Sequence, residues 1–174
     1  MNIFVLDKDP VLAAQYQCDK HVVKMILESA QLLCTSHHVL PNKYNNPLPD
    51  FLYRKTHQNH PCALAVQNSI ASYAWLAFHA LALCDEYTHR YDKNHKSRPI
   101  IQWCFDNCPQ LPVGIAKNAI KGFYLSMPHL PQCMPDEYKI QGDVVQAYRN
   151  YYKFDKMKNI KCVWTNREQP EWIK

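Results

Sequence analysis

Residues 9–37, DPVLAAQYQCDKHVVKMILESAQLLCTSH, decide the fold. Ala14, Cys18, Val22, Ile26, Ser29 and Leu33 recur every three or four residues, the spacing that turns one face of an α-helix into a core. Asp9 can accept hydrogen bonds from the first free amides of a helix, and Pro10 suits a position whose N–H has no partner. No Gly or Pro interrupts the run until Pro41, so the pattern predicts one long helix over about residues 10–37. Upstream, residues 1–6 (MNIFVL) are β-prone and end at the Asp7-Lys8-Asp9-Pro10 turn.

Downstream, residues 41–61 (PNKYNNPLPDFLYRKTHQNHP) hold Pro41, Pro47, Pro49 and Pro61 among several asparagines and read as a long ordered loop. Loops of that length are often functional. A second long helix is expected over residues 61–91, with Pro61 in its first turn and Leu64, Ile70, Tyr73, Ala77, Leu81 and Cys84 as its apolar face. Beyond it come a basic turn (Lys93, Lys96, Arg98), a short helix near residues 100–105, another near 115–124, a helix after Asp143 and an extended stretch at 160–164. The fold class is mainly α. The reading is a single helical domain over residues 1–174, built on two long helices joined by a Pro/Asn-rich loop, with little or no sheet.

Composition narrows the function. The chain has 174 residues, 47% hydrophobic and 20% charged, as in one compact soluble domain. Three glycines leave no room for the Gly-rich phosphate cradles of Rossmann and P-loop proteins. No apolar run approaches the ~20 residues that cross a bilayer, and the first residues have no basic leader or cleavage site, which points to a cytoplasmic protein without membrane contact. Eight scattered cysteines then read as reduced, mostly buried thiols. Cys104 and Cys108 form the one close pair, with no second pair at zinc-finger spacing. The net charge of +5 permits phosphate contact through Lys20, Lys24, Arg90, Lys93, Lys96 and Arg98.

Three clusters could carry chemistry. At about 100° per residue, Lys20, Lys24, Glu28 and Gln31 share an arc of roughly 80° on the first helix, with His21 at its border. Such a stripe is either a solvated face or a basic site containing an acid. On the second helix Asn68, Ser72, Trp75, His79, Glu86 and Arg90 fall within about 60° of one another amid Ala, Leu and Phe. They form either a satisfied core seam or a polar lining facing the first helix, where burial could shift Glu28 and Glu86 toward acid and base work. Asn59 and His60 stand at a helix start, which favours anions; with His57, they could equally be turn and capping residues. If the two helices enclose a pocket, Glu28 and at least two of Asn59, His60, His79 and Glu86 line it. Glu86-x-x-His89 is the pair used by carboxylate-bridged di-metal helical proteins, and with His21 and Glu28 it makes a two-helix metal site conceivable; otherwise no metal or cofactor is expected. Trp75, Trp103, Trp164 and Trp172 could stack on an extruded base, although most aromatics belong to the core.

The segment KHVVKMILESAQLL (residues 20–33) resembles the pattern K-R-L-G-K-Q-x-x-E-x-x-Q-I-L of small proteins related to pyrimidine-dimer DNA glycosylases of the endonuclease V type. Asn59-His60-Pro61 resembles that family's N-H-P before its second long helix, CDEY at residues 84–87 its C-R-E-W, and the end around Trp164 its closing segment. The whole chain is also similar to a family of T4-like bacteriophage proteins, through MPDEY at residues 134–138, AYRNYY at 147–152 and WTNREQPEW at 164–172, which implies the host cytoplasm as its place. The resemblance implies an all-helical DNA glycosylase on damaged or modified bases, with an associated lyase step, whose substrate is DNA or another nucleobase-containing molecule. An amine attacks the sugar while Glu28 stabilises the sugar cation and moves protons. The best-known members use the α-amine exposed after removal of Met1, but Asn2 is too large for efficient removal, so Lys20 or Lys24 is expected to supply the amine, with His60 and Glu86 beside them. Asn59, Asn68, Ser72, Trp75, His79 and Arg90 are the expected substrate contacts. The alternatives are a helical metalloenzyme using His21, Glu28, Glu86 and His89, and a non-catalytic accessory that binds nucleic acid or a host protein.

Overall fold

A computed structural model describes residues 1–41, 47–111 and 128–174. The chain is mainly α, with no strand among the described residues. Helix α1 (Pro10–Gln15) starts as expected, with the Asp9 carboxylate accepting from the amides of Val11 at 2.7 Å and Leu12 at 3.4 Å. It stops after six residues, so the single helix expected over residues 10–37 is two. Cys18 is extended (φ −71°, ψ 163°) and its N–H donates to the Tyr152 hydroxyl at 2.8 Å, while the Asp19 N–H donates to the Val163 carbonyl at 2.9 Å. Those remote acceptors replace the helical ones, and α2 (Asp19–Val39) begins afresh. It ends where Leu40, preceding Pro41, is forced out of the helical region (φ −87°, ψ 153°).

The second long helix also divides. Helix α3 (Pro61–Asn68) is capped by His60, and α4 (Ile70–Tyr91) by Ser69, an extended residue (φ −145°, ψ 122°) whose hydroxyl accepts from the Ser72 amide at 3.3 Å. Serine competes with the helix for its own backbone groups, which makes it a natural restart point. Helix α4 ends at Asp92 in the left-handed region (φ 53°). The expected short helix near residues 100–105 is α5 (Arg98–Asp106). The helix after Asp143 is α6 (Val144–Tyr151), continued by a π-helical turn (Tyr152–Lys156) into α7 (Met157–Asn159). The helix expected near residues 115–124 lies outside the described residues.

Helix α4 packs against α1, α2, α3 and α5, and its Tyr73, Leu76, Ala80 and Leu83 are buried with Val22, Ile26 and Leu33 of α2. The β-prone residues 1–6 find no partner strand and run through the core as a single thread. Ile3, Phe4, Val5 and Leu6 are all buried, each such side chain contributing about 1.5–3 kcal/mol on leaving water. Phe4 stacks on His21 with ring centres 4.6 Å apart and meets Tyr148 and Tyr152 edge-on. Arg149 of α6 holds the far end, donating to the Leu6 carbonyl at 2.8 Å and pairing with Asp7 at 2.9 Å. The thread is thereby fixed at a depth that delivers Met1 and Asn2 to the middle of α2. No helix among the described residues is long and apolar enough to cross a membrane.

Candidate active site at the amino terminus

Glu28 sits on the α2 face that meets this thread, its side chain only 13% exposed. Oε2 accepts the Asn2 backbone N–H at 3.0 Å and lies 3.9 Å from the Met1 amine; Oε1 lies 3.2 Å from Lys24 Nζ, one helical turn earlier. One carboxylate therefore stands between two primary amines. The Met1 amine is nearly enclosed, whereas the Lys24 side chain is 68% exposed.

Asn2 is held from several sides. Its Nδ2 donates to the Cys133 carbonyl at 2.9 Å, and its Oδ1 accepts from the Ile3 amide at 2.8 Å and from the buried Tyr148 hydroxyl at 2.7 Å. That hydroxyl also accepts from the Cys133 amide at 3.2 Å and lies 3.0 Å from the Pro131 carbonyl. Burial pushes the Tyr148 phenol well above its ordinary value, so it remains a donor. Every polar atom of the Asn2 side chain is thus used for positioning.

His60, half-buried at the start of α3, accepts the Cys62 amide through Nδ1 at 3.2 Å. Burial lowers its pKa, the Met1 amine and His57 lower it further, and Glu28 opposes them. It therefore faces the electrostatic field of the same amine and carboxylate. Beside Glu28, a groove of about 750 Å³ is lined by Lys24 and Leu27 of α2, by Tyr53 and Tyr87, and by Lys93 and Lys96 after α4. Lys24 belongs both to this groove and to the Glu28 cluster.

The other candidates lie elsewhere. Lys20 is exposed eight residues before Glu28, about 12 Å along the helix axis, and Lys24 rather than Lys20 pairs with the carboxylate. Asn59 and Asn68 are exposed at the two ends of the α3 region. Ser72, Trp75, His79, Glu86 and Arg90 are buried, but they form a seam joining α4 to α1 and the carboxy-terminal segment. Trp75 Nε1 donates to the Lys8 carbonyl at 2.9 Å. His79 Nδ1 donates to the Pro10 carbonyl at 2.9 Å, which leaves Nε2 to accept from Gln17 Nε2 at 3.1 Å. Burial draws the His79 pKa down to about 4, so it is a neutral core histidine.

Both oxygens of Glu86 accept from guanidinium groups. Arg90 donates to Oε1 at 2.8 Å, and Arg167 donates to Oε1 at 3.0 Å and to Oε2 at 2.6 Å. Burial alone would raise its pKa, but the two guanidinium partners outweigh that and hold it below the ordinary value. Arg90 is fully buried and also bonds Asp19 at 2.9 Å and the Gln15 carbonyl at 3.0 Å; Arg98 is paired with Asp85. The buried Arg90 is thereby closed to phosphate. Of Asn59, His60, His79 and Glu86, His60 is within the electrostatic influence of Glu28, whereas His79 and Glu86 are engaged in the seam of α4 with α1 and Arg167. The metal set His21, Glu28, Glu86 and His89 is dispersed as well. His21 bonds the Tyr152 hydroxyl at 2.8 Å and is drawn down to about 4 by burial and then by Lys156 and Lys24; His89 bonds the Asn166 carbonyl at 2.8 Å. Trp103 packs on His37, Trp164 Nε1 donates to the Tyr16 carbonyl at 3.0 Å, and Trp172 packs on Tyr16 and Tyr152.

Sequence patterning gave Tyr148 no part in the site, because its contact with Asn2 spans 146 residues. It also passed over the Met1 amine, for which the family resemblance was the one available signal. A family model described as pyrimidine dimer DNA glycosylase matches residues 1–99, a span that contains Met1, Asn2, Lys24, Glu28 and His60. No curated protein and no solved structure matches the chain.

Proposed function

The chain belongs to the pyrimidine dimer DNA glycosylase family, and from that premise we propose that it cleaves the N-glycosidic bond of a dimerised pyrimidine in DNA, with the Met1 amine as nucleophile and Glu28 as its acid–base partner. The observation that carries this reading is the placement of the Met1 amine and the Asn2 amide on one oxygen of a largely enclosed carboxylate.

A glycosidic carbon develops positive charge as its base departs, and an unprotonated amine can close on that carbon to form an N–C1′ bond while the electrons of the C1′–base bond leave with the base. Glu28 is positioned to take the proton the amine must shed and to stabilise the sugar cation. Breaking the C1′–O4′ bond, with a proton passing to O4′, opens the sugar to an iminium that acidifies the C2′ hydrogen; removal of that hydrogen expels the 3′ phosphate and breaks the strand, which supplies the lyase step. Water then releases the sugar fragment and regenerates the amine. Asn2 and Tyr148 act as positioning residues, since they hold the end of the chain against Glu28. The groove supports a DNA substrate because Lys24, Lys93 and Lys96 supply charge for phosphates and Tyr53 and Tyr87 supply ring faces.

Borohydride trapping on a duplex carrying one pyrimidine dimer tests the reading. A covalent adduct should form, and peptide mapping should place it on the amino-terminal peptide. An adduct on the Lys24 peptide would reassign the nucleophile, and no strand or base release from the dimer duplex would reject the activity.

A further inference from the structure

Immediately behind Asn2 lies a cluster the proposed reaction does not use. One ligating atom each from His60, Cys62 and Cys133 lies within 4.8 Å of the others, and the two sulfurs are 3.4 Å apart. That separation is far beyond a disulfide bond, so both are thiols. We propose that His60, Cys62 and Cys133 bind a thiolate-loving divalent cation, of which zinc is the prime example, and that this ion ties the start of α3 to the segment that positions the amino terminus.

The donor set is the first argument. Two sulfurs and an imidazole suit zinc and exclude the hard, oxygen-seeking magnesium and calcium. In a tetrahedral zinc site with Zn–S bonds of about 2.3 Å, two sulfurs sit roughly 3.8 Å apart, a few tenths of an ångström from the spacing found here. Pre-positioning is the second argument. Cys62 is fixed in the first turn of α3 between Pro61 and the core, while Cys133 is held through its own backbone, its amide donating to Tyr148 and its carbonyl accepting from Asn2. Access is the third, since Cys62 is buried but His60 and Cys133 are only partly so, which leaves an entry side and a fourth coordination position for water.

Binding has one structural cost. The His60 Nδ1 lone pair now accepts the Cys62 amide at 3.2 Å, and ligation through either ring nitrogen gives up that long hydrogen bond in exchange for three coordinate bonds. The benefit passes to the active site, because Cys133 carries the acceptor for Asn2 Nδ2. Three chain segments that otherwise meet through single hydrogen bonds become one unit.

The test is titration of the reduced, chelator-treated full chain with cobalt(II), followed by zinc. One equivalent of cobalt should give thiolate-to-metal charge-transfer absorption and tetrahedral visible bands, which one equivalent of zinc should erase. Cys133→Ser should weaken binding at least 100-fold. His60→Asn should weaken it by 10-fold or more, and it keeps a residue suited to capping α3, so the result stands even if the cysteine variant folds poorly. Zinc should raise the Tm of the parent and leave that of His60→Asn nearly unchanged. Absence of charge-transfer absorption, binding indifferent to both substitutions, or thiols that only cross-link to each other on oxidation without taking up metal would each overturn the site.

Discussion

Glu28 and Glu86 make the instructive contrast in this molecule. Each is a glutamate on a long helix, each has a cation four residues away, and each meets a second cation from a remote part of the chain. Around Glu86 both cations are guanidiniums, and every carboxylate oxygen is occupied at 2.6 to 3.0 Å. Arginine has no lone pair to offer and cannot lose its proton, so the pair can bind but cannot react. Around Glu28 the cations are amines, one solvated and one nearly enclosed. An amine that loses its proton becomes a nucleophile, and its carboxylate neighbour can receive that proton. On the proposed reading, what separates a structural ion pair from a reactive one is the chemistry of the cation rather than the burial of the acid.

The largest expected effect sharpens that contrast. Glu28→Gln keeps the shape and hydrogen-bonding capacity of the side chain but removes the charge, so turnover on a dimer-containing duplex should fall by about a hundred- to ten-thousandfold. Duplex affinity should stay within a few-fold of the parent, as a mobility-shift titration will show. If Glu28→Gln turns over at the parental rate, the Glu28 cluster is not the reacting centre.

Glu86→Ala should do the reverse. It strands the buried Arg90 without its closest counter-ion, a loss of about 3–5 kcal/mol, which for a chain of this size lowers Tm by roughly 10 °C. Activity per folded molecule should be retained below that transition. Thermal unfolding followed by circular dichroism measures the first, and a single-turnover assay normalised to folded protein the second. A Glu86→Ala protein that is stable but inactive would erase the distinction between the two sites.

Acid should attack the buried framework before it attacks the ion pairs. His21, His37 and His79 are each drawn down to about 4 in the folded protein, chiefly by burial. The unfolded chain therefore binds protons that the native chain refuses. Their contribution is fully present above pH 6.5 and is lost progressively as pH falls from 6.5 to 4, by on the order of 3 kcal/mol for each group. The Glu86 contribution, with a depressed folded pKa, is present above the ordinary glutamate value and is lost at lower pH still. Urea unfolding at a series of pH values should show stability declining from about pH 6.5, and a flat profile between 6.5 and 4.5 would contradict neutral buried histidines.

The smallest effects belong to the groove. Lys93→Ala and Lys96→Ala should each weaken duplex binding modestly and reduce the slope of log affinity against log salt by about 0.9 if each contacts one phosphate. Arg98→Ala, whose side chain is already paired with Asp85 at 2.6 Å, should leave the slope nearly unchanged. A slope equally sensitive to all three would place DNA on a broader surface than the groove beside Glu28.

Residue order alone determined a good deal here. The 3.6-residue periodicity of α2 and of α4 made the helical class legible, because a core needs one apolar face on each helix wherever the chain goes next. Asp9-Pro10 and His60-Pro61 marked helix starts through purely local chemistry, and the stripe containing Lys24 and Glu28 was legible because a helix brings residues four apart together. Only the tertiary structure decided the rest. The interruption at Cys18 comes from a tyrosine hydroxyl 134 residues away, and the seam running from Trp75 to Arg90 became core because α1 and Arg167 close over it. The Met1 amine reached Glu28 because Phe4, Leu6 and Arg149 hold the first residues at one depth. Helical spacing specifies which side chains share a face, whereas the partner that meets that face is chosen by long-range packing, and it is that partner which set one glutamate between two guanidiniums and the other beside an enclosed amine.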